Sequence, residues 1–305
     1  MAVKVIQPNE VYEVKNISCL IYGQPSSSKT SIAQTTDTPI TLAFDNLWYK
    51  AFGRKTIAMF DSWGDVINYD TSPYKTIVVD TVGKCLSLLS SALIKDNPKN
   101  GNRLGGLSLP GYGQLKEQFR QWVEGCKQHG QDLVFIAQEK AEKNGDDTYY
   151  CPDIIGGSYN TLMENCDIVG YLHHYNGKQV LDFSPSDRWM AKVPPCNWPQ
   201  LQLPDFASSP TFLAGLIAEA KASMGQISAA SAKIADDLGP WRSWLDKAPD
   251  LDATNANLSD LSSLDPVTKK QAWALITQYA KAHGWKFNRK ANTFEAAKEE
   301  EVVTL

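Results

Sequence analysis

Six cysteines occur in the 305-residue chain, at positions 19, 85, 126, 151, 166 and 196, and no two form a C-x-x-C pair. That leaves out the paired-thiol redox motif and the common zinc spacing, so reduced, buried thiols are the expectation. The adjacent His173 and His174, even with Cys196, do not make a zinc site. No apolar run reaches membrane-spanning length, and no charged start followed by an apolar stretch and a small-residue cleavage site opens the sequence. The expectation is a soluble protein with no membrane partner. A basic excess is also missing: 30 Lys and Arg face 34 Asp and Glu, for a net charge of −4. A nucleic-acid coat protein is thereby excluded, whereas a DNA-acting enzyme with local basic loops is not.

What is present suits a packed α/β chain. Hydrophobic residues make up 43% of the sequence and tryptophan occurs nine times, enough for one large domain with a small appendage. Apolar runs with polar ends fall at 17–23, 39–45, 55–60, 74–80, 132–138, 166–174 and 178–184. Helical stretches are expected at 29–36, 82–95 and 112–129. In the last of these, Leu115, Phe119, Trp122, Val123 and Cys126 share one face and Gly130 is placed to end it. Strand–helix alternation of this kind predicts a mostly parallel central sheet flanked by helices. Residues 1–16 are expected to be a polar lead-in, 17–206 the nucleotide-binding core, and 207–264 a closing helix (207–224) followed by a linker with short helices. Residues 265–298 are expected to form a small helix and β-hairpin, with Asp265 capping and Pro266 in the first turn. Residues 299–305 read as an acidic tail.

Within this frame, "CLIYGQPSSSKTSIA" (19–33) carries chemistry. A buried strand runs into Gly23, then a turn, then Lys29–Thr30 opening a helix. This is the phosphate-loop layout G-x-x-x-x-G-K-[ST], except that Ser28 stands where the second glycine belongs. Residues Gly23, Gln24, Pro25, Ser26, Ser27, Ser28, Lys29, Thr30 and Ser31 would form the phosphate cradle, all but Pro25 through backbone N–H groups, helped by the helix dipole. Lys29 would neutralise phosphate charge and the Thr30 hydroxyl would hold Mg²⁺. A left-handed φ at Ser28 would cost on the order of 1 kcal/mol. Fifty residues on, "YKTIVVD" ends in Asp80, placed to act as the magnesium-associated carboxylate of a Walker B strand.

The order of these motifs resembles the RecA-core ATPases carried by phages, the single-strand annealing and recombination type, over about residues 15–200. "GQPSSSKT" is similar to the G-P-E-S-S-G-K-T loop of RecA, "ITLAFDN" resembles the second core strand, and "FGRKTIAMFDSWGDV" the third strand with its acidic turn. The resemblance implies an α/β RecA-like P-loop fold using ATP and Mg²⁺. It assigns the water-polarising carboxylate to Asp65, with Asp61 second, and the γ-phosphate sensor to Gln138 in "DLVFIAQEK". It makes the Gly-Gly segment ending at Ser158 the close of a mobile DNA loop. Some phage relatives carry a lysine just after Gly-Gly-Ser, where this chain has Tyr159. The cation that reaches a neighbour's nucleotide is then sought at Lys140, Lys143 or Arg188. Two long loops, 95–113 and 139–158, are the expected DNA contacts, through Lys95, Lys99 and Arg103 in one and Lys140, Lys143, Tyr149 and Tyr150 in the other. The implied partners are single-stranded DNA, further copies of the chain in a ring or short filament, and a single-stranded-DNA-binding protein. The implied compartment is the cytoplasm of a bacterial host. A DNA-dependent ATP hydrolase is one reading; a weak or inactive P-loop module that anneals or binds DNA or protein without turnover, a small-molecule phosphotransferase and a ring motor stay open beside it.

Overall fold

A computed structural model describes residues 5–45, 49, 53, 55–145, 147–194, 196 and 198–296. The chain divides into two compact units, Val14–Met224 and a second made of the residues up to Glu13 together with those from Gly225 onward.

The first unit is built on a nine-stranded sheet. Its strands are β1 (Ser18–Gly23), β2 (Pro39–Ala43), β3 (Thr56–Met59), β4 (Thr76–Asp80), β5 (Asp132–Asn144), β6 (Asp147–Pro152), β7 (Ile168–Tyr175), β8 (Lys178–Asp182) and β9 (Leu201–Gln202). The order is β3-β2-β4-β5-β1-β7-β8-β9, with β6 paired to β5. Contacts from β3 through β7 are parallel, and β8, β9 and β6 join antiparallel. This is the α/β class with a mostly parallel sheet that the strand–helix alternation implies.

Helices α1 (Lys29–Ala33), α2 (Trp63–Asn68), α3 (Val82–Asp96), α4 (Leu109–Gln128), α5 (Gly157–Asn165) and the start of α6 (Phe212–Leu245) accompany the sheet. Side chains of β1 alternate between two cores, as a period of two requires. Leu20 and Tyr22 pack with Leu86 and Leu89 of α3 and Phe119 of α4. Cys19 and Ile21 pack with Ile32 of α1 and Leu213 and Ile217 of α6. Phe119 is fully buried, which stabilises by about 1.5–3 kcal/mol relative to exposure. Ser108 caps α4 by accepting from the Gly111 N–H, so the helix begins at Leu109 rather than 112, and Gly130 follows its end at φ 77°.

Both expected long loops are shorter and more ordered than their composition suggests. Between α3 and α4, a 3-10 turn (Pro98–Asn100) and a bridge from Gly101 to Leu107 occupy the segment 95–113. Residues 139–152 are not a loop, because β5 runs on to Asn144 and turns back as β6. Six register pairs, from Glu139 with Pro152 to Asn144 with Asp147, zip this hairpin.

The second unit corrects the expected linker over 225–264. Helix α6 continues to Leu245 with Pro240 inside it, followed by α7 (Leu251–Ala256) and a 3-10 turn (Asn257–Ser263). Helix α8 (Pro266–Ala282) is capped by Asp265, which accepts from the N–H groups of Val267 and Thr268. Strands β10 (Trp285–Asn288) and β11 (Thr293–Ala296) form the hairpin. Leu238 and Leu261, both in the supposed linker, share a core with Ala272, Ile276, Ala280 and Phe294. The lead-in is tied to the same unit: Asn9 Nδ2 donates to Asp236 Oδ1 at 2.8 Å and Tyr12 N to Ser228 Oγ at 2.6 Å. The expected tail at 299–305 lies outside the described residues. No helix among the described residues is long and apolar enough to cross a membrane.

Candidate nucleotide site

The site forms where β1 ends. Gly23 lies against β7, and a Cβ there would sit 2.1 Å from the Leu172 carbonyl oxygen, so no other residue fits. The chain then turns through Gln24–Ser28, with Ser26 at φ 61° and Ser28 at φ 68°. Ser28 thus has the left-handed φ and carries its strain. Ser28 Oγ donates to Gln179 Oε1 of β8 at 3.1 Å, which offsets part of it.

Lys29 opens α1 and is only 5% exposed. Its ammonium donates to the carbonyls of Gly23 at 2.9 Å and Gln24 at 2.6 Å and to Gln138 Oε1 at 3.0 Å. With a longer bond to Ser27 Oγ at 3.4 Å, these contacts use all its donors and tie the loop to β5. Burial pulls its pKa down to about 8, against the opposing charges of Asp80 and Glu139. Gln138 stands level with Gly23 in the β1–β5 register, and its carbonyl accepts from Asp153 N at 2.8 Å. The proposed sensor thus touches the phosphate-loop lysine on one side and the end of the β5–β6 hairpin on the other.

Thr30 Oγ1 donates to Asp80 Oδ2 at 2.5 Å. Burial raises the Asp80 pKa above the ordinary carboxylate value; the Thr30 bond and the Lys29 charge work downward, and the charge of Asp45 works upward. Asp45 follows β2, whose end is held to β4 by Phe44 N donating to the Asp80 carbonyl at 2.9 Å. Ser26, Ser27, Ser28, Lys29, Thr30, Ser31, Asp45, Asp80, Thr81, Ile136 and Gln138 line one cleft of about 240 Å³. Pockets that enclose a whole ligand run to about 300–1,000 Å³, so this cleft matches the phosphate end of a nucleotide. Its hard oxygen donors, the Thr30 hydroxyl and the Asp80 and Asp45 carboxylates, fit Mg²⁺.

Asp65 is not brought there. It lies in the first turn of α2, beyond the edge strand β3, where its N–H and carboxylate both bond the Ser62 hydroxyl, at 3.2 and 2.7 Å. It braces Ser62, the residue that caps α2, and it is Asp45 that shares the cleft with Asp80. The signal for Asp45 was available in "ITLAFD": an apolar strand directly after the phosphate-loop helix, ending in a carboxylate beside the Walker B strand. Gln179, which steadies Ser28, carried no such signal, since only the sheet order brings β8 near the loop.

The DNA-contact candidates are scattered. Lys95, Lys99 and Arg103 are exposed around the α3–α4 connection. Lys140, Lys143, Tyr149 and Tyr150 all lie on the β5–β6 hairpin, but the register separates them: Lys140 and Tyr149 share one face, Lys143 and Tyr150 the other. Lys140 is ion-paired with Glu142 at 2.7 Å. Tyr150 stacks on Tyr171 with centroids 5.9 Å apart, and Tyr171 in turn on Tyr22 at 4.9 Å. Tyr150 is half-buried at the end of this aromatic stack, with one face taken by Tyr171.

Among solved structures, a KaiC-like protein of Pyrococcus horikoshii OT3 is similar at 11% identity and TM-score 0.33, over 54% of this chain and 76% of that one. The flagellar accessory protein FlaH of Methanocaldococcus jannaschii is similar at 8% identity and TM-score 0.34, over 56% and 78%. No curated protein matches the sequence. The AAA domain family AAA_24 matches residues 15–194, which span the phosphate loop, Asp45, Asp80 and Gln138, and the chain belongs to that family.

Proposed function

We propose that the first unit binds Mg-ATP at this cleft, hydrolyses it, and couples the nucleotide to single-stranded DNA in phage recombination or annealing. The observation that carries the reading is the lysine bridge: one buried ammonium bonded both to the phosphate loop and to Gln138, at the foot of a hairpin bearing exposed cations. In this reading the loop and Lys29 hold the β- and γ-phosphates. Thr30 and Asp80 would hold Mg²⁺, which when bound draws charge off the phosphate oxygens. Asp45 orients the attacking water and takes its proton as the water oxygen bonds to the γ-phosphorus and the bridging oxygen leaves with ADP. Gln138 exchanges its bond to Lys29 for one to the γ-phosphate and so moves the hairpin. Lys95, Lys99, Arg103, Lys140 and Lys143 supply phosphate contacts. Copies of the chain assemble in a ring or short filament, with a single-stranded-DNA-binding protein as a further partner. Arg188, exposed beside Trp189, is the cation offered to a neighbouring copy.

ATP hydrolysis by wild type and Lys29→Ala, with and without single-stranded DNA, tests this. DNA-stimulated turnover lost in the variant supports it; equal DNA affinity with and without ATP would sink the coupling. The left-handed Ser28 favours one alternative, a DNA- or partner-binding module without turnover. Activity unaffected by Lys29→Ala would select that module.

A further inference from the structure

Helix α6 of the second unit carries Trp241 and Trp244, whose ring centroids lie 6.0 Å apart at 88°. With Pro240, Asn257, Asp260 and Ser263 they line a pocket of about 310 Å³. Both rings are half-buried and pack against the core that includes Leu238 and Leu261, so they stand as fixed walls. Asp260 is exposed at this pocket, and among the described residues no hydrogen bond or ion pair engages its carboxylate. Asp260 is the one charged residue of the lining, whereas the nearby Asp237 is paired with Lys233 and Asp250 and Asp265 cap helices.

We propose that this pocket receives the cationic side chain, arginine above lysine, of a basic segment of another protein. The two indoles meet edge to face, and the angle between them lets a cation lie against an electron-rich ring face. A guanidinium can lie flat on one ring while its edge N–H groups reach the Asp260 carboxylate, which a rounder ammonium matches less well. A neutral apolar group would bury Asp260 without a partner, at a cost. A nucleobase would bring a phosphodiester toward the Asp260 carboxylate.

The full-length chain with ¹⁵N-labelled indoles tests the proposal, the two signals being assigned through Trp241→Phe and Trp244→Phe. The probe is an acetylated, amidated Arg-Arg-Arg peptide, compared with its citrulline counterpart, which keeps the shape and loses the charge. The expected result is a saturable shift of both signals by the arginine peptide. Affinity should fall roughly 10-fold or more with citrulline and in Asp260→Asn. No shift, equal shifts with the two peptides, or an unchanged affinity in Asp260→Asn would overturn it. Displacement of both signals by oligo-dT in place of the peptide would overturn it in favour of nucleic acid.

Discussion

The phosphate loop and the β5–β6 hairpin meet at Gln138, yet they use positive charge in opposite ways. Lys29 is buried, has all three N–H groups engaged, and pays for its position with a depressed pKa. The hairpin lysines stand in solvent, and one is already paired with a neighbouring glutamate; such exposed pairs are worth about 0–1 kcal/mol. A cation in a low-dielectric cleft acts through its placement, so one substitution should abolish its effect. Cations on an exposed ribbon act by their number, so each should matter little and in proportion to salt.

The strongest challenge to this contrast is a pair of carboxylates. Asp45→Asn should lower ATP turnover by about 10²- to 10⁴-fold. Asp65→Asn should leave turnover unchanged and cost about 0.3–1 kcal/mol through the lost charge in the first turn of α2. Steady-state kinetics with a urea titration separates them, and a turnover loss confined to Asp65→Asn would return the water-orienting role to α2. Next in size, Gly23→Ala should destabilise the first unit by about 3 kcal/mol, because its Cβ would meet a backbone carbonyl that cannot yield. Near-wild-type denaturation would mean that β1 and β7 part more easily than their register implies.

The two settings should also part in their response to pH. Lys29 titrates near 8 in the fold, below the ordinary lysine value of 10.5, so between these values the unfolded chain binds more protons. Stability should rise as pH increases through that window. Nucleotide affinity should fall over the same rise, beginning near pH 8, because the phosphates lose their buried cation. Titrations at several pH values check this, and Lys29→Arg, which keeps its charge, should flatten the fall in whatever affinity it retains. On the hairpin, Lys143→Ala should reduce the slope of log affinity for single-stranded DNA against log salt by about 0.7; an unchanged slope would remove that residue from the DNA surface. The smallest effect is expected from Ser28→Gly. Relief of about 1 kcal/mol of left-handed strain is offset by greater freedom of the unfolded chain and loss of the Gln179 bond. Thermal unfolding should then move by only about 1–2 °C, and a large stabilisation would mean that the serine is strained beyond its φ.

Much of the fold was legible because strand burial is written locally. Continuous apolar runs such as "IVVD" can be satisfied only inside a sheet covered on both faces, and Lys29, Thr30 and Asp80 sit at spacings that single out phosphate chemistry. Other features were hidden for definite reasons. The polar, glycine-containing stretch 139–152 reads as a loop because its strands form by pairing with each other, a non-local event. The Ala- and Ser-rich second half of α6 lacks a strong apolar face, and Pro240 argues against a helix that neighbouring side chains nevertheless hold. By itself the sequence determined a mostly parallel sheet and a lysine–threonine loop at the end of its first strand. Only the tertiary structure decided which carboxylate joins that loop, because Asp45 and Asp65 both follow apolar strands. What separates them is strand order: β2 lies beside β4 and so delivers Asp45 to Asp80, whereas β3 lies at the edge and leaves Asp65 bonded to the Ser62 cap of α2.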